Sequence, residues 1–274
     1  MRFADAHIHL ADSAYAHNAE EVVEKARKSS VFALVANSVD LESSNRSLKL
    51  CEAYPNQVYA ALGIHPWSTK QLKPNEVQDT LDLIYKNKEN RQKLVAIGEI
   101  GLDTTYTGTE EPAEIQKQVF HAMLSGAEKA SLPVIIHSRG TTSRILGLLA
   151  SYEISKVLLH WFSKPHTLIR TIVDRGYYIS EGIPCMFSSG IRQVVRRIPL
   201  TNLLTETDGP VNFRGQSKNK LTTPSVVPRI VESIAEVKEM EKSEVSEQIF
   251  QNFVEFFGVE GVRDKRNGEG TIQE

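Results

Sequence analysis

Eight short apolar segments recur along the chain, and this recurrence constrains the fold more than any other feature of the sequence. Each segment is rich in residues that favour strands and ends in polar, Gly or Pro residues, as a buried parallel strand does. The segments span residues 3–10, 31–39, 58–66, 93–103, 132–140, 156–163, 176–184 and 202–210. We interpret each of them as a β-strand.

Stretches with helical spacing lie between these strands and after the last one. In residues 113–132, Ile115, Val119, Met123 and Ala127 recur every four residues, which places them on one face of a helix. Similar spacing marks four further stretches, 18–29, 167–176, 224–240 and 243–258. Strands that alternate with helices predict a parallel sheet, and eight such units can close a barrel. The predicted fold is therefore an α/β (β/α)8 TIM barrel.

Composition narrows the class of protein without identifying it. The chain has 274 residues, 41% of them hydrophobic and 24% charged, which is ordinary for a globular protein. A net charge of −2 argues against broad electrostatic coating of nucleic acid, and Cys51 and Cys185 cannot form a disulfide scaffold. We predict one domain over 1–260, a polar tail over 261–274, a cytoplasmic location, no membrane contact and no obligate protein partner.

Polar residues that can carry chemistry fall at the ends of the predicted strands. In "FADAHIHL", strict alternation would place Asp5, His7 and His9 on one face and the apolar residues on the other. An edge strand with a polar face in water would also fit this segment. In a closed barrel, the same face would instead point to the cavity at the carboxyl ends of the strands, where barrel active sites lie.

The other strand ends favour the second interpretation, because they bring more groups of the same kind to that cavity. The residues placed there are His7, His9, His65, Glu99, His137, His160 and Asp208. Buried imidazoles and carboxylates are costly without a cation or a hydrogen-bond network, and both are ligands for divalent metals. A satisfied polar core without metal is the alternative, but the size of the set favours two metal ions over one. His17, His121 and His166 fall in predicted helices or loops, and we interpret them as surface or packing residues.

The order of motifs resembles the TatD family of metal-dependent hydrolases, which belongs to the amidohydrolase-like barrels. The motifs are His-x-His at the start, "GIHP" (63–66), "GEIGLD", "LPVIIHSR" (132–139), "LLHWF" and "TETDGP". The resemblance extends from Phe3 to about Gly258. It implies a hydrolase that cleaves phosphodiester bonds with a water activated by two divalent ions, Zn, Mg or Mn. DNA, single-stranded or at an end, is the implied substrate.

The resemblance also implies a role for each residue of the set. His7 and His9 would hold the first metal with Asp208 nearby, Glu99 would bridge both metals, and His137 and His160 would hold the second. Asp208 and Glu99 would be the catalytic carboxylates. His65 and Arg139 would face the substrate, and Asp5, Asp103 and Glu206 would orient ligands. Asp103 could instead cap a helix or brace a loop, and Arg139 could pair with an acid in a loop.

Departures from the family pattern leave the substrate more open than the metal site. Trp161 makes the mouth of the barrel bulkier, and Glu181 stands where a neutral residue is expected. Arg214, Lys218 and Lys220 could guide a nucleic-acid backbone or form an ordinary solvated loop. A small-molecule amidase, lactonase or deacylase would use the same metals, and the net charge and Glu181 favour it mildly. A non-catalytic binding protein is disfavoured because Glu99 and Asp208 are both present.

Overall fold

Eight parallel strands form one sheet in sequence order, in a computed structural model that describes residues 1–105, 108, 112–213 and 221–259. The sheet closes where Asp208 donates its main-chain N–H to His7 O (2.9 Å) and His9 donates to Gly209 O (2.8 Å). The predicted TIM barrel is confirmed. The strands are β1 (Phe3–Ile8), β2 (Val31–Asn37), β3 (Val58–Leu62), β4 (Leu94–Asp103), β5 (Val134–Arg139), β6 (Val157–Leu159), β7 (Tyr178–Glu181) and β8 (Leu203–Thr205).

Helices follow the strands and surround the barrel. Those of the described residues are α1 (Ala19–Lys28), α2 (Leu41–Ala53), α3 (Glu76–Asn87), α4 (Glu114–Ala130), α5 (Thr142–Leu149), α6 (Ile169–Asp174), α7 (Ser189–Arg197), α8 (Val227–Lys238) and α9 (Lys242–Phe257). The sequence pattern did not single out α2, α3, α5 or α7. Helix α2 begins with a capping box between Asp40 and Ser43 and buries serines against the barrel, so it lacks a clear apolar stripe.

Helix α9 closes the lower end of the barrel, where the strands begin. Phe253 and Phe257 pack in one cluster with small inward residues such as Ala4 and Ala33. Phe257 also lines a cavity with Leu132, just before β5. The open end of the barrel is therefore the upper one, where the strands finish and the polar residues lie. No helix among the described ranges has the length and apolarity needed to cross a membrane.

An irregularity in β1 changes which side chains share a face. Asp5 pairs with Leu34 and Ile8 pairs with Ala36, so three residues of β1 lie opposite two of β2. The strict alternation predicted for residues 3–10 is therefore wrong. The extra residue lies between Asp5 and Ile8, and it separates the environment of Asp5 from that of His7.

Candidate metal centre

Glu99 lies at the centre of the polar cluster, and one of its oxygens faces the ends of β1 and β8. Glu99 Oε2 is 3.3 Å from Nε2 of His7 and 3.3 Å from Nε2 of His9. Asp208 Oδ1 lies 3.4 Å from the same two nitrogens. We call His7, His9 and Asp208 the first half of the site. Two imidazoles and two carboxylates thus surround one point.

The other oxygen of Glu99 faces the ends of β3, β5 and β6. Glu99 Oε1 is 2.8 Å from His160 Nε2, 3.0 Å from His137 Nδ1 and 3.3 Å from His65 Nε2. We call His65, His137 and His160 the second half of the site. One buried carboxylate therefore contacts both halves, five imidazoles in all.

Two glycines allow β4 to carry Glu99 this close to β5. Gly101 has a φ of +148°, and a Cβ atom added to it would lie 2.0 Å from His137 O. A Cβ atom on Gly98 would lie 2.8 Å from Ile135. Both positions therefore require glycine, which explains the spacing of "GEIGLD" around the carboxylate.

A network of side chains orients the second half of the site. His137 Nε2 is 2.9 Å from Asp103 Oδ2, and the Trp67 indole donates to that same oxygen (2.8 Å). The Trp67 main-chain N–H donates to His65 Nδ1 (3.1 Å). Because Nδ1 of His65 accepts, its proton lies on Nε2, and burial lowers the pKa of this imidazole. Sequence reasoning missed Trp67, although it follows His65 by two residues.

Main-chain groups orient the first half. His9 Nδ1 is 3.1 Å from Asn37 O at the end of β2. The carboxylate of Asp5 accepts from Thr207 Oγ1 and from the main-chain N–H groups of Thr207 and His7, each at 3.1 Å. Asp5 therefore ties the His7 segment to the segment before Asp208, and the structure gives it these partners in place of the ring contact that we expected. Burial, only partly offset by these bonds, raises its pKa to about 7.

Two further glutamates lie below the cluster. Glu206 accepts a hydrogen bond from Ser180, and its Oε2 is 3.6 Å from His160 Nδ1. Glu181 is completely buried, and neither of its oxygens has a hydrogen-bond partner among the residues that the structure describes. Burial and the nearby Glu206 raise the pKa of Glu181 well above its ordinary value, although His160 acts in the opposite direction.

The electrostatics of the cluster favour a bound cation. Burial alone would raise the pKa of Glu99 and Asp208, but the surrounding histidines outweigh it and hold both below their ordinary values. Burial would lower the pKa of His9, yet its bonds to Asp208 and Glu99 raise it to about 10. The carboxylates therefore attract protons to the imidazoles, and a metal ion can take the place of those protons.

The donor set fits divalent metal ions. Ligand atoms lie within 4.8 Å of one another in His7, His9 and Glu99, and also in His65, Glu99 and His137. Glu99 Oε2 is buried, and no hydrogen bond of good geometry reaches it from the described residues, although Nε2 of His7 and of His9 both lie 3.3 Å away, as expected of an atom that serves an ion. A third group joins His7, His160 and Glu206 below the cluster. His65 belongs to the second group, but its Nε2 carries a proton and is not free to bind a metal ion. His160, whose Nε2 lies 2.8 Å from Glu99 Oε1, is therefore a better ligand than His65 beside Glu99 and His137.

The remaining predicted residues lie at the rim or away from the site. Arg139 ends β5 with an exposed side chain, and its main chain pairs with Asp103. His17 and His121 are exposed, and His121 bonds to Tyr152. His166 is half-buried beyond β6. Three predicted basic residues and the predicted tail lie outside the described residues: Arg214, Lys218, Lys220 and 261–274.

Comparisons with known proteins relate nearly the whole chain to one family. A family model described as TatD related DNase matches residues 4–258. The human protein named deoxyribonuclease TATDN3 is 34% identical over 261 residues, which cover 92% of this chain and 93% of that protein. The Salmonella typhimurium protein named 3'-5' ssDNA/RNA exonuclease TatD is 28% identical, with 84% and 89% covered. The crystal structure of YJJV, a TatD homolog from Escherichia coli K12, matches with a TM-score of 0.83 at 26% identity and covers 94% of this chain and 98% of its own.

Proposed function

Because the chain belongs to the TatD family and is a metal-dependent hydrolase, we propose that it is a deoxyribonuclease that removes nucleotides from an end of single-stranded DNA. The observation that carries this proposal is the division of one carboxylate, Glu99, between two sets of imidazoles. Such sharing would suit a pair of divalent ions, which is common in enzymes that hydrolyse phosphate esters. The names of the relatives support DNA as the substrate.

The chain offers a ligand set for each ion. His7, His9 and Asp208 would hold the first ion, His137 and His160 the second, and Glu99 would serve both. Two divalent ions there would supply Lewis-acid charge for the phosphate oxygens and would lower the pKa of a water molecule. Zn, Mg and Mn all remain candidates, because imidazole favours Zn whereas carboxylate suits Mg and Mn.

The protein's own groups have separate tasks around the phosphate. Asp208 is ionised at neutral pH because His7 and His9 hold its pKa low, so it can accept a proton from the attacking water. His65 would donate from Nε2 to a phosphate oxygen, as a neutral imidazole whose tautomer is set by Trp67. Arg139 would bind a second oxygen from the rim, since a guanidinium can contact a phosphate through two N–H groups.

A cleavage assay on end-labelled single-stranded DNA tests this function. Metal-stripped protein is assayed with Mg, Mn or Zn added, beside Glu99→Gln and a control, Glu89→Gln, whose side chain is 91% exposed. We expect metal-dependent shortening that Glu99→Gln lacks and Glu89→Gln retains. No cleavage by protein that elemental analysis shows to hold about two ions per chain would overturn the proposal and indicate an ester or amide substrate.

A further inference from the structure

Aromatic side chains follow three neighbouring strands at the open end of the barrel. Trp161 comes directly after His160 at the end of β6, Phe187 follows β7, and Phe213 follows β8. The rings of Trp161 and Phe213 are 5.2 Å apart between centroids and meet edge to face. Phe187 is 56% exposed. Trp161 and Phe213 therefore form an aromatic pair at the mouth of the site.

The backbone of Trp161 is unusual for such a large residue. Its φ is +42°, in the left-handed region that few residues other than glycine, Asn and Asp adopt. Its side chain is half-buried and packs against the edge of the main core cluster. Glycine would adopt this conformation at lower cost, so the backbone conformation does not account for an indole at this position.

Basic residues continue along the same loop and the helix that follows. Lys164 is exposed, His166 is half-buried, and the Arg170 side chain is 91% exposed. His166, Arg170 and Arg197 line a groove of about 330 Å³ along α6. The ion pair between Arg170 and Asp174 is exposed and therefore weak. Asp174 also lines this groove, so Lys164, three residues after Trp161, is the basic residue nearest to the indole along the chain. Aromatic rings followed by basic groups are typical of surfaces that bind single-stranded nucleic acid.

We propose that Trp161, supported by Phe213, is the stacking surface for the nucleobase next to the cleaved phosphate. This inference rests on the proposed function, because it takes the substrate to be a nucleic-acid strand. A strand end whose phosphate lies over Glu99 carries a flat base to the rim, and Trp161 adjoins a residue in contact with Glu99. Since every base has a π-face, the stacking should tolerate any sequence but require a base.

The test compares two substrates and three variants. Single-stranded oligonucleotides carry either a normal terminal nucleotide or an abasic spacer at that position, at each end in turn. The variants are Trp161→Ala, Trp161→Phe and Tyr152→Ala; Tyr152 is half-buried between α5 and β6, at the other end of the barrel. Binding is measured in parallel by quenching of a terminal 2-aminopurine in the non-cleaving Glu99→Gln background.

We expect Trp161→Ala to raise KM and weaken binding by roughly tenfold to a hundredfold for the substrate with a terminal base, and to raise KM by less than about threefold for the spacer substrate. Trp161→Phe should recover most of the loss, and Tyr152→Ala should match the wild type. An equal loss on both substrates, or unchanged quenching, would overturn the stacking role while leaving the nuclease intact. A wild-type protein that cleaves neither substrate with any metal would overturn the proposed function, and this inference with it.

Discussion

The two halves of the site differ in what orients their imidazoles. In the first half, the main-chain oxygen of Asn37 lies 3.1 Å from Nδ1 of His9, and the His-x-His spacing at the end of β1 places His9 beside His7. In the second half, His137 presents Nδ1 to Glu99 and is held from behind by Asp103, a side chain of another strand. The comparison shows that main-chain groups orient the imidazoles of the first half, whereas side chains from β4 and from the loop after β3 orient those of the second.

Removing one ligand from each half should give the largest effects and show whether the halves hold separate ions. Asp208→Ala takes a carboxylate from the first half, and His137→Asn takes an imidazole from the second. We expect each variant to lose about one of two bound ions by elemental analysis. The activity of each variant should also fall by more than the roughly 10- to 100-fold loss that is typical when a residue that only orients a ligand is replaced.

A variant that lost both ions or neither would contradict the view that each half holds its own ion. Loss of both ions from either variant, with unchanged circular dichroism, would mean that the two halves form one cooperative site. Glu89→Gln serves as the control for ion content because its side chain is exposed. If His137→Asn retained both ions, residues other than His137 would hold the second ion, and His65 is the nearest alternative ligand.

Asp103→Asn should have the next largest effect, confined to the second half. The amide can still accept at Oδ1 from Thr105, so the loop stays braced, but the Oδ2 acceptor for His137 and Trp67 is lost. We expect a 10- to 100-fold loss of activity or of affinity for the second ion, measured by metal titration. Asp40→Asn is the matched control, because it makes the same substitution at an aspartate that caps the start of α2. If Asp103→Asn were fully active, Asp103 would brace the loop through Thr105 but would not be needed to orient His137.

The sequence predicts the fold and the residues of the site well, but it predicts few of the contacts between those residues. All eight strands were found because each is a continuous apolar run that ends in polar residues. Helix α2 was missed because serines replace apolar residues on its buried face. The irregularity between Asp5 and Ile8 was also missed, since one extra residue in a strand leaves no mark in an alternating pattern. The bonds of Trp67 to Asp103 and to His65 join residues from different strand ends, which no spacing rule predicts.

The stability of the metal-free protein should depend on pH through the first half. The pKa of His9 is raised to about 10, so its protonated form stabilises the fold fully below the unfolded value of about 6.5. That contribution is lost as pH rises through 10, on the order of a few kcal/mol at about 1.4 kcal/mol per pKa unit. We expect the melting temperature in chelator to fall between pH 6.5 and 10, and to fall less in His9→Asn or with metal added. Identical pH profiles for the wild type and His9→Asn would exclude this account of the first half.

The smallest effect should come from Glu181→Gln, below the second half. Glu181 is buried and its pKa is raised well above the ordinary value, so the folded protein keeps a proton that the unfolded chain releases above about pH 4.3. The wild type therefore loses stability relative to Glu181→Gln as pH rises from 4.3 towards the folded pKa, because glutamine cannot ionise. We expect equal unfolding free energies near pH 4 and an advantage of about 1–3 kcal/mol for Glu181→Gln near pH 8, in urea titrations of metal-free protein. Glu89→Gln should show no such divergence. A variant less stable than the wild type at pH 8 would mean that ionised Glu181 supports His160 from below, as Asp103 supports His137.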